Sequence, residues 1–157
     1  MPDIRLATPE DLHKVDEMLR RLARDLDDPY RATLAGLQHA LFSDAPPCFA
    51  MLADHDGTAC GIGLAAPVYS TMRGGCGVYV SDLWVSDEKR GMGIGAQILS
   101  EIAGHAAAIW HARFLKLAVY AENTRAQKFY ETLGFDAITG ETVMTIDVKT
   151  LKQGATS

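Results

Sequence analysis

Arg90, Gly91, Gly93 and Gly95 stand at a spacing suited to holding a phosphate. They lie in Trp84-Val85-Ser86-Asp87-Glu88-Lys89-Arg90-Gly91-Met92-Gly93-Ile94-Gly95-Ala96, where an apolar run passes through a basic pair into three spaced glycines. Downstream, Ile94, Ile98, Ile102, Ala106 and Ile109 recur at three- and four-residue spacing, so the glycines open an amphipathic helix. The first N–H groups of a helix lack intrahelical acceptors, and the helix dipole adds partial positive charge there. Glycines remove the Cβ atoms that would hold an anion away, while Lys89 and Arg90 bring full charges to the rim.

The spacing narrows the anion. A P-loop requires Gly-Lys-Ser/Thr after its glycines, and none follows here. A dinucleotide fingerprint requires G-x-G-x-x-G with an acidic residue about 20 positions on. Here the third glycine comes one residue early, and the region around Trp110 to Ala112 has no such carboxylate. Arg90, Gly93 and Gly95 instead form R-x-x-G-x-G, which resembles the pyrophosphate signature of the GNAT superfamily of N-acetyltransferases. A second segment, Asn123-Thr124-Arg125-Ala126-Gln127-Lys128-Phe129-Tyr130-Glu131-Thr132-Leu133-Gly134-Phe135, is similar to that family's N-x-x-A-x-x-F-Y-x-x-x-G-F signature. It reads locally as a short helix, with Asn123 as N-cap and Gly134 as the stop.

The resemblance implies acetyl-CoA as cosubstrate, with no metal, and acetyl transfer to an amine by direct attack. It places the pantetheine arm along Leu83, Trp84 and Val85. It places the pyrophosphate on Arg90, Gly91, Met92, Gly93, Ile94, Gly95 and Ala96, and further coenzyme contacts on Asn123, Ala126, Lys128 and Phe129. Lys89 and Arg125 carry further positive charge in the two motifs. Tyr130 matches the tyrosine of the second signature and is the expected proton donor to the leaving thiolate, since a phenol of pKa about 10 is protonated at neutral pH. Val80-Ser81-Asp82-Leu83-Trp84-Val85 resembles the strand of the spermidine/spermine and thialysine acetyltransferase branch, with Ser81 where that branch has glutamate. Asp82 is then the remaining carboxylate for a base, acting directly or through water, or else a structural hydrogen-bonding group. Strand residues alternate in direction, so a β-bulge would be needed to re-aim it.

The elements that must position these groups also follow from the sequence. Ile4 and Leu6 begin a strand, and Thr8-Pro9-Glu10-Asp11 caps a helix through about Leu26, with Leu12, Val15, Leu19 and Leu22 on its inner face. A second helix is expected from Tyr30 to Phe42. Strands follow near 48–53 and 59–69, split by the turn signal Asp54-His55-Asp56-Gly57, and then a strand over 77–85. Beyond the glycine-led helix come a strand over 114–120, the Asn123 helix, a closing strand near 142–148 and a polar tail from about 150. The expected fold is α+β: one GNAT-like domain over 1–157, its mixed, mostly antiparallel sheet flanked by helices in the order β-α-α-β-β-β-α-β-α-β(-β).

Between the first two helices, Asp25, Asp27 and Asp28 fall where the family shapes its acceptor site. With Ser81 they are the candidate acceptor-binding residues, and three carboxylates attract a polyamine or a basic amino acid side chain. A protein, peptide or antibiotic amine, or a non-catalytic acyl-CoA sensor, are the alternatives. The chain has 157 residues, 48% of them hydrophobic, enough for one core. Its net charge of -5 disfavours nucleic acid as partner. No apolar run approaches the roughly 20 residues of a membrane span, and the N-terminus has no basic-then-apolar signal, so a cytoplasmic protein is expected. Cys48, Cys60 and Cys76 form no CxxC pair, and the histidines form no HExxH. The polyamine branch also implies a homodimer.

Overall fold

The turn signal at residues 54–57 sets the first strand pair. In the computed structural model, which describes residues 1–155, β2 (Phe49–His55) and β3 (Thr58–Ser70) run antiparallel, with His55 opposite Thr58. Between them Asp56 and Gly57 take φ of 50° and 77°, a two-residue turn whose twist suits the strands it joins. β1 (Asp3–Leu6) adds antiparallel to β2, and β4 (Gly75–Val85) antiparallel to β3. β5 (Leu115–Leu117) pairs parallel with β4. The order β1-β2-β3-β4-β5 is the mixed, mostly antiparallel sheet the sequence predicts.

Helices cover both faces. From α1 (Leu12–Leu26) and α2 (Leu34–Phe42), Val15, Met18, Leu19, Leu37 and Leu41 bury against Ala50, Leu52, Ile62 and Trp84. On the opposite face, α3 (Ile94–Trp110) buries Ile94, Ile98, Ile102 and Ala106. The close approach of α3 depends on Gly63: a Cβ there would lie 2.6 Å from Ile102 Cδ1 and 2.7 Å from Ile98 Cγ2. Ile109, in the last turn of the same stripe, is 52% exposed, so the packed face ends at Ala106.

These elements make up one compact unit, Met1–Tyr120; a second, Ala121–Ser157, holds α4 (Thr124–Thr132) and α5 (Val148–Ala155). Three expectations need correction. α2 begins at Leu34 rather than Tyr30, because the Thr33 hydroxyl accepts the Gly36 N–H at 3.0 Å and caps the helix there. β5 is three residues long rather than spanning 114–120. The closing strand near 142–148 does not form; a strand needs a ladder, and the regular elements described in this unit are both helical. Residues 148–155 are helical, with Leu151 N–H donating to the Asp147 carbonyl at 3.0 Å. The last two residues of the polar tail, 156 and 157, lie outside the described residues. No helix is long and apolar enough to cross a membrane among the described residues.

A buried carboxylate fastens β1 to α1. Asp11, 4% exposed, accepts from Arg5 Nη1 at 2.7 Å, from Arg5 Nη2 at 3.0 Å and from the Thr8 N–H at 2.8 Å. Arg5 Nη2 also reaches Asp54 at 2.9 Å. The Arg5 hydrogen bonds hold the Asp11 carboxyl far below the ordinary carboxylate range, against the upward push of burial. A carboxylate depressed in this way stabilises the fold above its unfolded pKa, and that stabilisation is lost as pH falls toward the folded value. Arg5→Met is therefore expected to lower stability by about 2–3 kcal/mol at pH 7. In urea titrations the gap between variant and parent should narrow as pH falls below about 4; a gap independent of pH would refute the assignment.

Candidate active site

β4 carries both a bulge and a branch point. Leu64 of β3 lies opposite Asp82 and its neighbour Ala65 opposite Val80, which leaves Ser81 as an extra residue on β4. Residues paired across strands share a face and alternate along a strand. Without the bulge Val80, Asp82 and Trp84 would point the same way. With it, Val80 shares the face of Ala65, and Asp82 joins Leu64 and Trp84 on the side of α1 and α2. The β4–β5 ladder covers Val78–Val80 alone. Past Val80 the two strands part, and residues 81–85 have no strand opposite β3 among the described residues.

At this fork the Ser81 hydroxyl donates to Asp82 Oδ2 at 2.7 Å, with the Leu64 carbonyl also in reach at 3.3 Å. Burial pushes the Asp82 carboxyl upward, the Ser81 hydrogen bond partly offsets this, and the charge of Asp28 adds to the rise. Asp28 itself accepts from Tyr120 Oη at 2.7 Å. Cys48 is raised by burial and by the charge of Asp82. Tyr30 donates to Asp16 at 2.8 Å, and burial with that bond pushes its phenol up to about 12. The fork is thus an acidic, tyrosine-lined region able to accept a cation and, at Asp82, a proton.

The cradle begins where β4 ends. Residues 87–89 make one 3₁₀ turn, after which Gly91 and Gly93 take φ of 79° and 80°. Side chains rarely adopt that conformation, so glycine is required at both. The side on which a Cβ would project has nothing within 4 Å at either glycine. Gly93 is the N-cap of α3 and offers no side-chain acceptor, while its carbonyl accepts the Gln97 N–H at 3.1 Å. Ile94, 2% exposed, pins the first turn to the core, and Gly95 and Ala96 complete it; Met92 is exposed. A helix N-terminus reached through two left-handed glycines fits a pyrophosphate.

The Arg90 side chain departs from the sequence reading. Instead of standing free at the rim, it donates from Nε to the Val85 carbonyl at 2.9 Å and from Nη2 to Asp25 at 2.7 Å, and it pairs with Asp87. Asp25 also accepts from the Trp84 indole at 2.9 Å. The three aspartates grouped in the sequence therefore separate. Asp25 joins the cradle, Asp28 binds the Tyr120 hydroxyl and acts on Asp82 through its charge, and Asp27 is the left-handed C-cap of α1 with φ 57°. Tyr120, Asp87 and Cys48 were not singled out by sequence. Their partners lie on other elements or within a charged turn, where no spacing marks them.

The second motif forms α4 as expected. Asn123 Oδ1 caps it by accepting the Ala126 N–H at 3.1 Å. Gly134 leaves the helix at φ 95°, and the Phe135 N–H donates to the Tyr130 carbonyl at 3.1 Å. Tyr130 sits between rings, with Phe129 at 5.2 Å and Phe135 at 5.4 Å between centroids. Burial raises its phenol above the ordinary value, so it stays protonated at neutral pH. Arg125 and Lys128 are exposed.

A model of the acetyltransferase (GNAT) family matches residues 12–135. Thialysine N-epsilon-acetyltransferase of Sus scrofa is 30% identical over 141 residues, 83% of this chain and 82% of that protein. Among solved structures, a ribosomal-protein-alanine N-acetyltransferase from Brucella melitensis biovar Abortus 2308 matches with TM-score 0.76 and 22% identity, over 93% of this chain and 100% of the other. An aminoglycoside acetyltransferase from an uncultured soil metagenomic sample, in complex with trehalose, matches with TM-score 0.77 and 14% identity, over 93% and 97%.

Proposed function

This chain belongs to the GNAT family of acetyltransferases, and we propose that it transfers acetyl from acetyl-CoA to a primary amine of a small cationic acceptor, of polyamine or basic amino acid type. The observation that carries the acceptor class is the bulge at Ser81, which puts Asp82 on the side of α1 and α2 where β4 and β5 part, under the influence of the Asp28 charge. Grouped carboxylates attract cations and disfavour acidic partners. The similarity to a thialysine acetyltransferase points the same way.

Acetyl-CoA supplies an activated thioester. The chain's own groups then have distinct tasks. Main-chain groups of Leu83, Trp84 and Val85, on the strand edge beyond the β5 ladder, hold the pantetheine arm, and an N–H there stabilises charge developing on the carbonyl oxygen. The N–H groups of residues 91–96 receive the pyrophosphate. Asn123, Ala126, Lys128 and Phe129 border the coenzyme, as the resemblance implies. Asp27, Asp28 and Ser81 border the acceptor ammonium. Asp82 takes a proton from it, leaving a neutral amine to attack the thioester carbon, and Tyr130 gives its proton to the departing sulfur. An Asp82 carboxyl raised by burial is a stronger base than an ordinary aspartate.

The reading also takes in one catalytic domain over 1–157, a cytoplasmic setting and a homodimer. Support for self-association comes from the exposed apolar side chains Val143, Met144 and Ile146. Light scattering should return twice the chain mass; a chain that stays monomeric as concentration rises would remove the dimer. The acceptor class is tested by mass spectrometry of products from spermidine, putrescine, thialysine, an aminoglycoside and a lysine peptide. Acetylated polyamine or thialysine is expected. A product from the aminoglycoside or the peptide alone would move the assignment to that acceptor.

A further inference from the structure

Asp25 has no part in the chemistry above, yet its carboxylate is tied to the cradle by two hydrogen bonds. It lies in the last turn of α1, where the helix dipole disfavours negative charge. Its Oδ2 accepts from Trp84 Nε1 at 2.9 Å and from Arg90 Nη2 at 2.7 Å. Burial pushes the Asp25 carboxyl upward, but these two bonds outweigh it and hold the group below the ordinary range, ionised at neutral pH.

The Arg90 guanidinium is directed at this chain's own oxygens along each of its edges: Val85 from Nε, Asp87 from Nη1 and Asp25 from Nη2. Its rigid fork spans the end of β4, the 3₁₀ turn and α1, and two carboxylates cancel its charge toward an incoming anion. Arg90 directly precedes Gly91. Gly91 and Gly93 have no side chains to pack and open space where a Cβ would project, so the loop has no packing of its own at those residues.

We propose that Asp25 is a positioning residue for the coenzyme: through Arg90 and Trp84 it fixes the start of the glycine loop, so that main-chain N–H groups, and not the Arg90 guanidinium, receive the pyrophosphate. This rests on the reading that the cradle takes acetyl-CoA. It separates from the simpler alternative in sign. If Arg90 were a direct ligand restrained by Asp25, removing the restraint would free it and tighten binding. If Asp25 is a brace, removing it loosens the loop and weakens binding.

The test is calorimetric titration of CoA into the parent chain and into Asp25→Asn, Arg90→Gln, Arg90→Lys and the Asp25→Asn/Arg90→Gln double variant, with amide exchange of residues 86–93 followed in the unliganded proteins. Asp25→Asn is expected to weaken CoA about 10-fold and to speed exchange across the loop. The double variant should be no worse than either single one, and the kinetic loss should fall on KM for acetyl-CoA more than on kcat. Arg90→Lys keeps the charge but loses the fork, so the brace predicts a loss as large as that of Arg90→Gln. This comparison decides the matter even if the Asp25 variants fail to fold. Unchanged or tighter CoA binding by Asp25→Asn, additive losses in the double variant, or near-parental affinity in Arg90→Lys would each overturn the proposal. A parent chain that does not bind CoA would instead overturn the coenzyme reading itself.

Discussion

Tyr130→Phe should lower kcat by about 10²- to 10⁴-fold, the usual contribution of a positioned general acid, while leaving KM for acetyl-CoA within about twofold. The substitution removes one oxygen and keeps the ring, so the contacts with Phe129 and Phe135 and the helix end at Gly134 survive. What is lost is a proton held on the phenol by partial burial, close enough in acidity to a thiol to be handed over. Steady-state kinetics of thiol release with a saturating amine read the effect directly. A variant with kcat near the parent value would remove Tyr130 from the chemistry. The same variant separates an enzyme from an acyl-CoA sensor, since a sensor would keep its ligand response unaltered.

Asp82→Asn should also cost about 10²-fold or more in kcat, and it should do so without costing stability. Burial raises the Asp82 carboxyl above its unfolded value. A carboxylate raised on folding binds protons more tightly in the native state, so it lowers stability as pH rises through that interval. Asparagine removes the penalty and can still accept the hydrogen bond from Ser81 Oγ. Lower kcat with an equal or higher melting temperature at pH 7 is the expected pair of results, a common trade between function and stability. In the parent, activity should fall as acid protonates Asp82, with the acid limb displaced above the ordinary carboxylate range; that limb should vanish in the variant. A destabilised variant with near-parental kcat would make Asp82 a structural group.

The sequence made these tests possible because its signals were local. Asp56-Gly57 announced the hairpin, the isoleucine stripe announced α3, and Asn123 with Gly134 announced both ends of α4. The glycine motif was legible for the same reason, since a left-handed φ at 91 and 93 is a demand on the residue itself. What was hidden is long-range. The bulge at Ser81 exists only in the register between β3 and β4, and the bond from Arg90 to Asp25 joins residues 65 apart. Arg90 read as a free charge for the same cause: no spacing along the chain says that two carboxylates and a carbonyl already hold it. The expected closing strand failed on similar grounds. Met144, Ile146 and Val148 alternate with Thr145 and Asp147 and satisfy the pattern of a strand, but a pattern does not supply a ladder partner.

Acetyl transfer from acetyl-CoA to an amine frees one thiol per turnover, and that thiol can be followed continuously. Purified chain is mixed with acetyl-CoA, with and without each amine, and CoA binding by the same sample is measured by calorimetry. The chain is expected to bind CoA, and thiol release is expected to rise well above background when a small cationic amine is added. Failure to bind CoA, or binding with no amine-dependent release across polyamines, basic amino acids, aminoglycosides and peptides, would contradict acetyl transfer by this chain.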